Sequence, residues 1–172
     1  TISFALSIIF YPQLPERMAS HWNAAGEVNG TMSTLWGAFL MPIVLTGLVA
    51  LFMVIPKIDP LKANIAKFRK PLDHFLVIVL LFLLGIHAHI LLWNIGIQLP
   101  TNIVVFLGIA ALFYASGLLM ESAKRNWFIG IRTPWTLSSD RVWNKTHKLG
   151  AKLFKILGVL ALAAIFIPKY NI

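Results

Sequence analysis

With 172 residues, 58% hydrophobic content and only 12% charged residues, the chain has the length of one domain but the wrong composition for a soluble one. Its mean hydropathy is +0.78. The formal net charge of +9 raises nucleic acid as a partner, yet the cations lie in loops between apolar runs and form no contiguous water-facing surface, which argues against direct nucleic-acid binding.

The absence of cysteine rules out disulfides and thiolate metal sites and leaves the redox compartment open. The expected fold is all-α, a polytopic transmembrane helix bundle forming a single integral membrane domain over residues 1–172. It has four full spans, a partial N-terminal span, and an amphipathic interfacial helix before the last span.

Residues 1–11 are apolar but far short of the roughly 20 residues that cross a bilayer as a helix. They read as the outer half of a first span that begins before Thr1. A cleaved signal peptide is the rival, disfavoured because Pro12 follows Tyr11 and no small-residue cleavage site is visible. Residues 12–34 form a loop rich in turn formers, Pro12, Pro15, Asn23, Gly26, Asn29 and Gly30. The Asn29-Gly30 pair is a tight-turn signal and predicts a small hairpin. His21 beside Trp22 is a candidate peptide contact, weighed against a role in packing the hairpin itself.

Residues 35–55 are a continuous apolar run, about 31 Å long as a helix and so matched to a hydrocarbon core of about 30 Å. Pro42 is expected to kink this span and Pro56 to close it. Residues 56–71 carry five cations against Asp59, a net +4. The next span is 72–93, with Asp73 and His74 near its start reading as a helix N-terminal charge and its neighbour, not an acid–base pair. An uncharged loop, 94–100, leads to the span 101–120, where Ala111 and Ala115 offer a small-residue packing face.

Residues 121–148 again carry a net +4, and the last span is 149–167, with Lys152 and Lys155 snorkelling to the interface. The loop 12–34 has a net charge of −1. Cations concentrate on the cytoplasmic side, so 56–71 and 121–148 are expected inside a cell membrane and 12–34 and 94–100 outside.

His87 and His89 lie within a span, where polar groups are costly. Two residues apart on a helix they diverge and cannot share an ion, so one is expected to pack on a neighbouring helix and the other to lie nearer the outer interface. No metal site, cofactor site or catalytic constellation is expected, since the chain has no HExxH, no nucleophile with a base at a recognisable spacing and no phosphate-cradling glycine loop.

The stretch 126–147 is polar, aromatic and basic in an otherwise apolar chain. Trp127, Trp135 and Trp143 punctuate it, with Arg132, Thr133, Pro134, Thr136, Ser138, Ser139 and Asp140 among them. Amphipathic rings mixed with cations suit the lipid headgroup layer. Pro134 biases Thr133 away from helical angles and predicts an extended turn over 131–137. Ser138 or Ser139 then caps a new helix with Asp140 in its first turn.

Arg141, Lys145, Lys148, Lys152 and Lys155 form one basic stripe on that helix, beside an apolar line of Val142, Thr146, Leu149, Leu153 and Ile156. Arg132 is expected to tie the loop by pairing with Asp140 or Glu121 and stacking on Trp135. His147 is expected to contact headgroups.

The run from Asn126 through Gly130, Arg132, Thr133, Pro134, Trp135 and Thr136 to Leu137, followed by Val142-Trp143, closely resembles the signature of the SdpI family of bacterial and archaeal multi-span membrane proteins. The loop residues Leu14-Pro15-Glu16-Arg17, His21-Trp22-Asn23 and Gly26-Glu27-Val28-Asn29-Gly30 resemble an extracytoplasmic domain of unknown function often found ahead of such segments. The resemblance implies immunity to a secreted membrane-active toxic peptide, and signalling by holding a soluble transcriptional repressor at the membrane.

The candidate signature and partner-binding positions are Asn126, Gly130, Arg132, Thr133, Pro134, Trp135, Thr136, Trp143, Lys145 and Lys148, read as a structural core of the motif with a partner-facing basic edge against the alternative that the whole loop is a docking surface, and the external-loop candidates are His21, Trp22, Asn23, Gly26 and Gly30. Family members of the better-known type carry a sixth span beyond this point. The rival functions are a small-solute or ion transporter, a membrane enzyme using His87, His89 or His21, and an accessory subunit of a larger membrane assembly.

Overall fold

The computed structural model describes residues 2–166. Thr1 and the end of the last expected span at Ile167 lie outside the described residues. The elements run α1 (Ile2–Phe10), a 3₁₀ turn (Tyr11–Gln13), β1 (Arg17–Trp22), β2 (Val28–Ser33), α2 (Thr34–Ile58), α3 (Lys62–Ala66), α4 (Arg69–Asn94), α5 (Thr101–Ser122), α6 (Pro134–Ser138) and α7 (Asp140–Ala163). Among the described residues, four helices are long and apolar enough to cross a membrane: α2, α4, α5, and α7 with the short turn that continues it to Phe166. The protein is a multi-pass helical membrane protein, with one two-stranded sheet among the described residues.

Each spanning helix runs past its apolar core. Pro56 does not close α2, which continues to Ile58, and the Asp59 N–H still bonds back to the Ile55 carbonyl at 3.1 Å. The loop expected over 56–71 contains the single-turn helix α3 and the first turn of α4. The chain divides into two compact units, Thr1–Val49 with Leu80–Phe106, and Ala50–Val79 with Leu107–Ile172.

In the first unit β1 and β2 pair antiparallel, so the hairpin exists, but its turn is not at Asn29-Gly30. The chain reverses over residues 23–27. There Gly26 takes φ +82°, and Asn23 accepts the Glu27 N–H on its side-chain oxygen and donates its amide to the Glu27 carboxylate, both at 2.9 Å. Gly30 instead sits within β2 opposite His21, where the ladder is irregular. A Cβ at that position would lie 3.0 Å from the His21 Cβ. Met18, fully buried, seats the hairpin on α2 at Gly37, where a side chain would strike the Met18 sulfur.

Pro42 has no N–H for the Ala38 carbonyl four residues back. Ser7 of α1 supplies the missing donor, its hydroxyl 2.5 Å from that oxygen. The same hydroxyl oxygen accepts from Nε2 of the fully buried His87 at 3.1 Å. An α1 serine thus repairs the proline's defect in α2 and gives the imidazole in α4 its partner.

The second unit has an apolar core of Ile55, Ile65, Phe68, Leu72, Leu119, Ala123, Ile129 and Trp143. Here α5 and α7 approach until their backbones nearly touch. A Cβ on Gly158 would lie 2.9 Å from the Ala110 carbonyl oxygen, and one on Gly117 would lie 2.8 Å from that of Ala151. Small residues seven apart on one helix therefore meet small residues seven apart on the other, the close approach that membrane helices use. The packing pair is Ala110 with Gly117, not Ala111 with Ala115: Ala115 is buried, but Ala111 is exposed.

Candidate functional site

The signature loop lies wholly in the second unit, and its shape follows from side chains that satisfy backbone groups. Asn126, fully buried, accepts the N–H groups of Phe128 and Ile129 on its Oδ1 at 2.9 and 2.6 Å. Its Nδ2 donates to the carbonyls of Lys124 and Ile129, each at 2.9 Å. Four bonds from one carboxamide close a tight turn at a place with no helix or sheet to pair the backbone.

Thr133 is extended at φ −129° and ψ 162°, as its place before Pro134 demands. The expected extended turn over 131–137 stops there, because Pro134 starts α6. A proline at the first helical position loses nothing by lacking an N–H and already holds a helical φ. Thr133 and Thr136 form a reciprocal cap, each side chain accepting the other's N–H, and the buried Thr136 hydroxyl also donates to the Ile131 carbonyl at 2.9 Å. Ser139 then caps α7 by accepting from Val142 N–H at 3.4 Å, with Asp140 in the first turn as expected.

From α7, Trp143 and His147 point into the loop. Trp143 is fully buried and its indole N–H donates to the Ala123 carbonyl at 2.9 Å. The His147 ring stacks on Trp143 with centroids 3.9 Å apart. His147 contacts no headgroup: it is buried, with Nδ1 bonded to the Trp143 carbonyl at 2.9 Å and Nε2 to the Ile131 N–H at 3.0 Å. One ring nitrogen faces an acceptor and the other a donor, which is the neutral imidazole with its proton on Nδ1.

Two further residues that the sequence did not single out complete the loop. Asp59, at the end of α2 and buried, accepts the Trp127 N–H on Oδ2 at 2.9 Å and the Leu61 N–H on Oδ1 at 2.6 Å. Arg125, not Arg132, pairs with Asp140 at 2.7 Å and also donates to the Leu137 carbonyl at 2.8 Å. Glu121 is taken by Lys155. Arg132 instead donates to the Trp127 carbonyl at 2.8 Å, while Trp135 stands 71% exposed.

In the first unit His87 and His89 diverge. His87 packs against Ser3 and Ser7 of α1, whereas His89 bonds Thr101 at 3.0 Å and sits against the rings of Trp22 and Trp93. No group of three or more metal-ligating side chains occurs among the described residues. His21 is exposed and hydrogen-bonds Asn29 at 2.5 Å across the hairpin. Asn94, at the end of α4, holds β1 by both backbone groups of Ala19.

Comparison with known proteins places the loop. Residues 122–172 match the SdpI/YfhL protein family. The C-terminal segment is similar to that family. Residues 1–46 match DUF1648, a domain of unknown function, which covers the hairpin and the motifs that pointed to it. The immunity protein SdpI of Bacillus subtilis (strain 168) is 27% identical over 172 residues, covering 99% of this chain and 80% of that one. No solved structure matches.

Within the SdpI segment the expected partner-facing residues fall into two groups. Asn126, Thr136 and Trp143 are buried, with Gly130 and Thr133 held beside them, and they shape the loop. Arg132, Pro134, Trp135, Lys145 and Lys148 are exposed and are what the loop displays. Trp127, Arg132, Thr133, Pro134, Leu137 and Ser138 line an open cleft of about 470 Å³. The basic stripe of the SdpI segment is likewise on the surface at Arg141, Lys145, Lys148 and Lys152.

Proposed function

We propose that the chain is an SdpI-like immunity protein that protects a cell membrane against a secreted, membrane-active toxic peptide, and that it signals by docking a soluble repressor. In this reading residues 12–34 face outside and meet the peptide, while 56–71 and 121–148 face the cytoplasm. The cationic side of the SdpI segment, Arg132, Lys145 and Lys148 with the exposed Trp127 and Trp135, is then the docking surface. The reading is carried by identity to a protein named for immunity that extends over 99% of the chain.

Charge distribution supports the sidedness, and the division of the loop into buried shaping residues and exposed cations supports a display role. No catalytic step belongs to the proposal, because the buried polar side chains of the loop are bonded to its own backbone.

Expression in a peptide-sensitive host tests the reading. Cells carrying the inserted protein should survive peptide that kills the parent strain. Unchanged killing at normal protein level would contradict immunity.

A further inference from the structure

The segment from Trp127 to Arg132 is a wall of two cavities in the second unit. Its two ends, Trp127 and Arg132, line the open cleft of about 470 Å³ together with Pro134 and Leu137. Its middle, from Phe128 to Ile131, lines a second cavity of about 480 Å³, whose other walls include Phe52 of α2, Phe75 of α4, Ser116 of α5 and Phe154 of α7.

The second cavity is apolar. Ser116 brings the only hydroxyl among its lining residues, and that hydroxyl already donates to the Leu112 carbonyl at 2.7 Å. Such a cavity offers water too few partners and takes an apolar guest instead. Its volume falls within the range of about 300–1,000 Å³ usual for small-molecule sites. Phe52 lies six residues before the end of α2 and Phe75 six residues after the start of α4. At about 1.5 Å per residue, six residues are about 9 Å of helix, which puts the cavity just beneath the headgroup layer, where an acyl chain begins.

The cleft on the other side of the segment is charged. Arg125 and Lys155 are paired with Asp140 and Glu121. Arg132 is exposed, has no carboxylate partner among the described residues, and gives a single N–H bond to the Trp127 carbonyl. A guanidinium has five N–H donors in a fork that fits a phosphate, so most of this one is open to a ligand. The half-exposed indole of Trp127 beside it suits the boundary between headgroups and acyl chains.

We infer that the second unit binds one anionic phospholipid from the leaflet at this end of the bundle, with the phosphate at Arg132 and an acyl chain in the cavity behind Phe128 and Ile131. Two requirements select this occupant. A soluble phosphate has no tail for the cavity, and a zwitterionic lipid brings a cation that already answers its own phosphate. An acidic peptide at the cleft would leave a cavity at hydrocarbon depth empty. Lys145 and Lys148 line neither cavity and stay available to a soluble partner.

The test uses the full chain in mild detergent, titrated with phosphatidylglycerol and phosphatidylcholine as probes, with bound lipid counted by native mass spectrometry. The unmodified chain should hold one phosphatidylglycerol about fivefold more tightly than phosphatidylcholine, the scale of one basic residue's contribution at an anionic surface. Arg132→Gln should bring the two lipids level. Ser116→Leu, which fills the cavity, should weaken both by about tenfold, since several methylene groups lose their burial. Lys152→Gln removes an exposed cation that lines neither cavity and should leave the preference unchanged.

Phosphatidylglycerol with a diazirine in its acyl chain gives a second readout that does not depend on the Ser116 variant folding. Its label should fall on Phe128, Ile131 and Phe154. Equal retention of the two lipids by the unmodified chain, or an unchanged preference in Arg132→Gln, would overturn the inference. So would a preference lost equally in Lys152→Gln, which would mean attraction to the basic surface as a whole. Labelling spread evenly over exposed span residues such as Leu107 and Leu162 would overturn it too, because the lipid would then be part of the ordinary bilayer shell.

Discussion

Ile131 donates its backbone N–H to Nε2 of His147 at 3.0 Å, across sixteen residues, and the same imidazole bonds the Trp143 carbonyl through Nδ1. The intervening segment is thereby closed by one neutral ring. Gly130 makes the approach possible: it takes φ +109°, and a Cβ there would collide with His147 Nε2.

Gly130→Ala should lower stability by about 1–3 kcal/mol through backbone strain alone. His147→Ala should cost about 1–3 kcal/mol by leaving the Ile131 N–H without a partner. Because the alanine methyl has nothing to strike once the imidazole is gone, the double variant should lose less than the sum of the two. Thermal melts of the four proteins in detergent check this, and additive losses would mean that the two residues are not coupled.

Asp59 offers one oxygen to Leu61 and the other to Trp127. Asparagine has only one acceptor oxygen, so Asp59→Asn turns an amide donor toward one of the two N–H groups. A loss of about 1–3 kcal/mol is expected, together with faster proteolysis near Trp127. An unchanged cleavage pattern would show that the carboxylate does not hold the loop.

Ser7→Ala should destabilise the first unit by about 1 kcal/mol, since hydrogen bonds between membrane helices are worth about that and the Ala38 carbonyl is left bare. Pro42→Ala returns an N–H to that carbonyl. The serine's contribution through Ala38 should therefore shrink in the Pro42→Ala background, leaving what it contributes through His87. A Ser7→Ala loss of equal size in both backgrounds would disprove the repair.

Gly158→Leu and Gly117→Leu should prevent accumulation of folded protein, because a branched side chain meets the Ala110 carbonyl and Tyr114 N–H at Gly158, and the Ala151 carbonyl as well as the Lys155 side chain at Gly117. Ala111→Leu, one residue away from the contact line and exposed, should change the melting temperature little. Protein level and melting in mild detergent separate the two cases.

Lys145→Glu with Lys148→Glu reverses exposed charge and should alter stability by no more than about 0.5 kcal/mol. If the SdpI segment docks a repressor, the double reversal abolishes its recruitment to membranes at normal protein level. Recruitment that survives would place docking elsewhere.

The parts of this structure legible in the sequence are those governed by one local rule. Long uncharged runs become spans because hydrocarbon permits little else, and Ser139 with Asp140 announces α7 because a helix start needs an acceptor and favours negative charge. Rules for turns reach less far. Asn29-Gly30 would suit a tight reversal, but Asn23 and Gly26 make the turn, and Gly30 is needed where β2 crosses His21.

Pro134 breaks a helix that would run through it, but the same missing N–H makes it a helix starter, and only the second property decides the structure here. The pairings of Arg125 with Asp140, Asp59 with Trp127, and His147 with Ile131 join residues between 15 and 68 apart in the chain. No local pattern distinguishes Arg125 from Arg132 as the partner, and a single aspartate in a basic loop looks like a solvated charge until α3 and the signature loop enclose it.

Sidedness is the claim on which the immunity account rests most directly, and the cysteine-free chain makes it measurable. Ala24→Cys in the hairpin turn and Lys145→Cys in the SdpI segment are to be labelled with a membrane-impermeant maleimide, first on intact cells and then after permeabilisation. The account predicts that the hairpin thiol reacts on intact cells and the SdpI-segment thiol only once the membrane is opened. Reaction of both from the same compartment would contradict it.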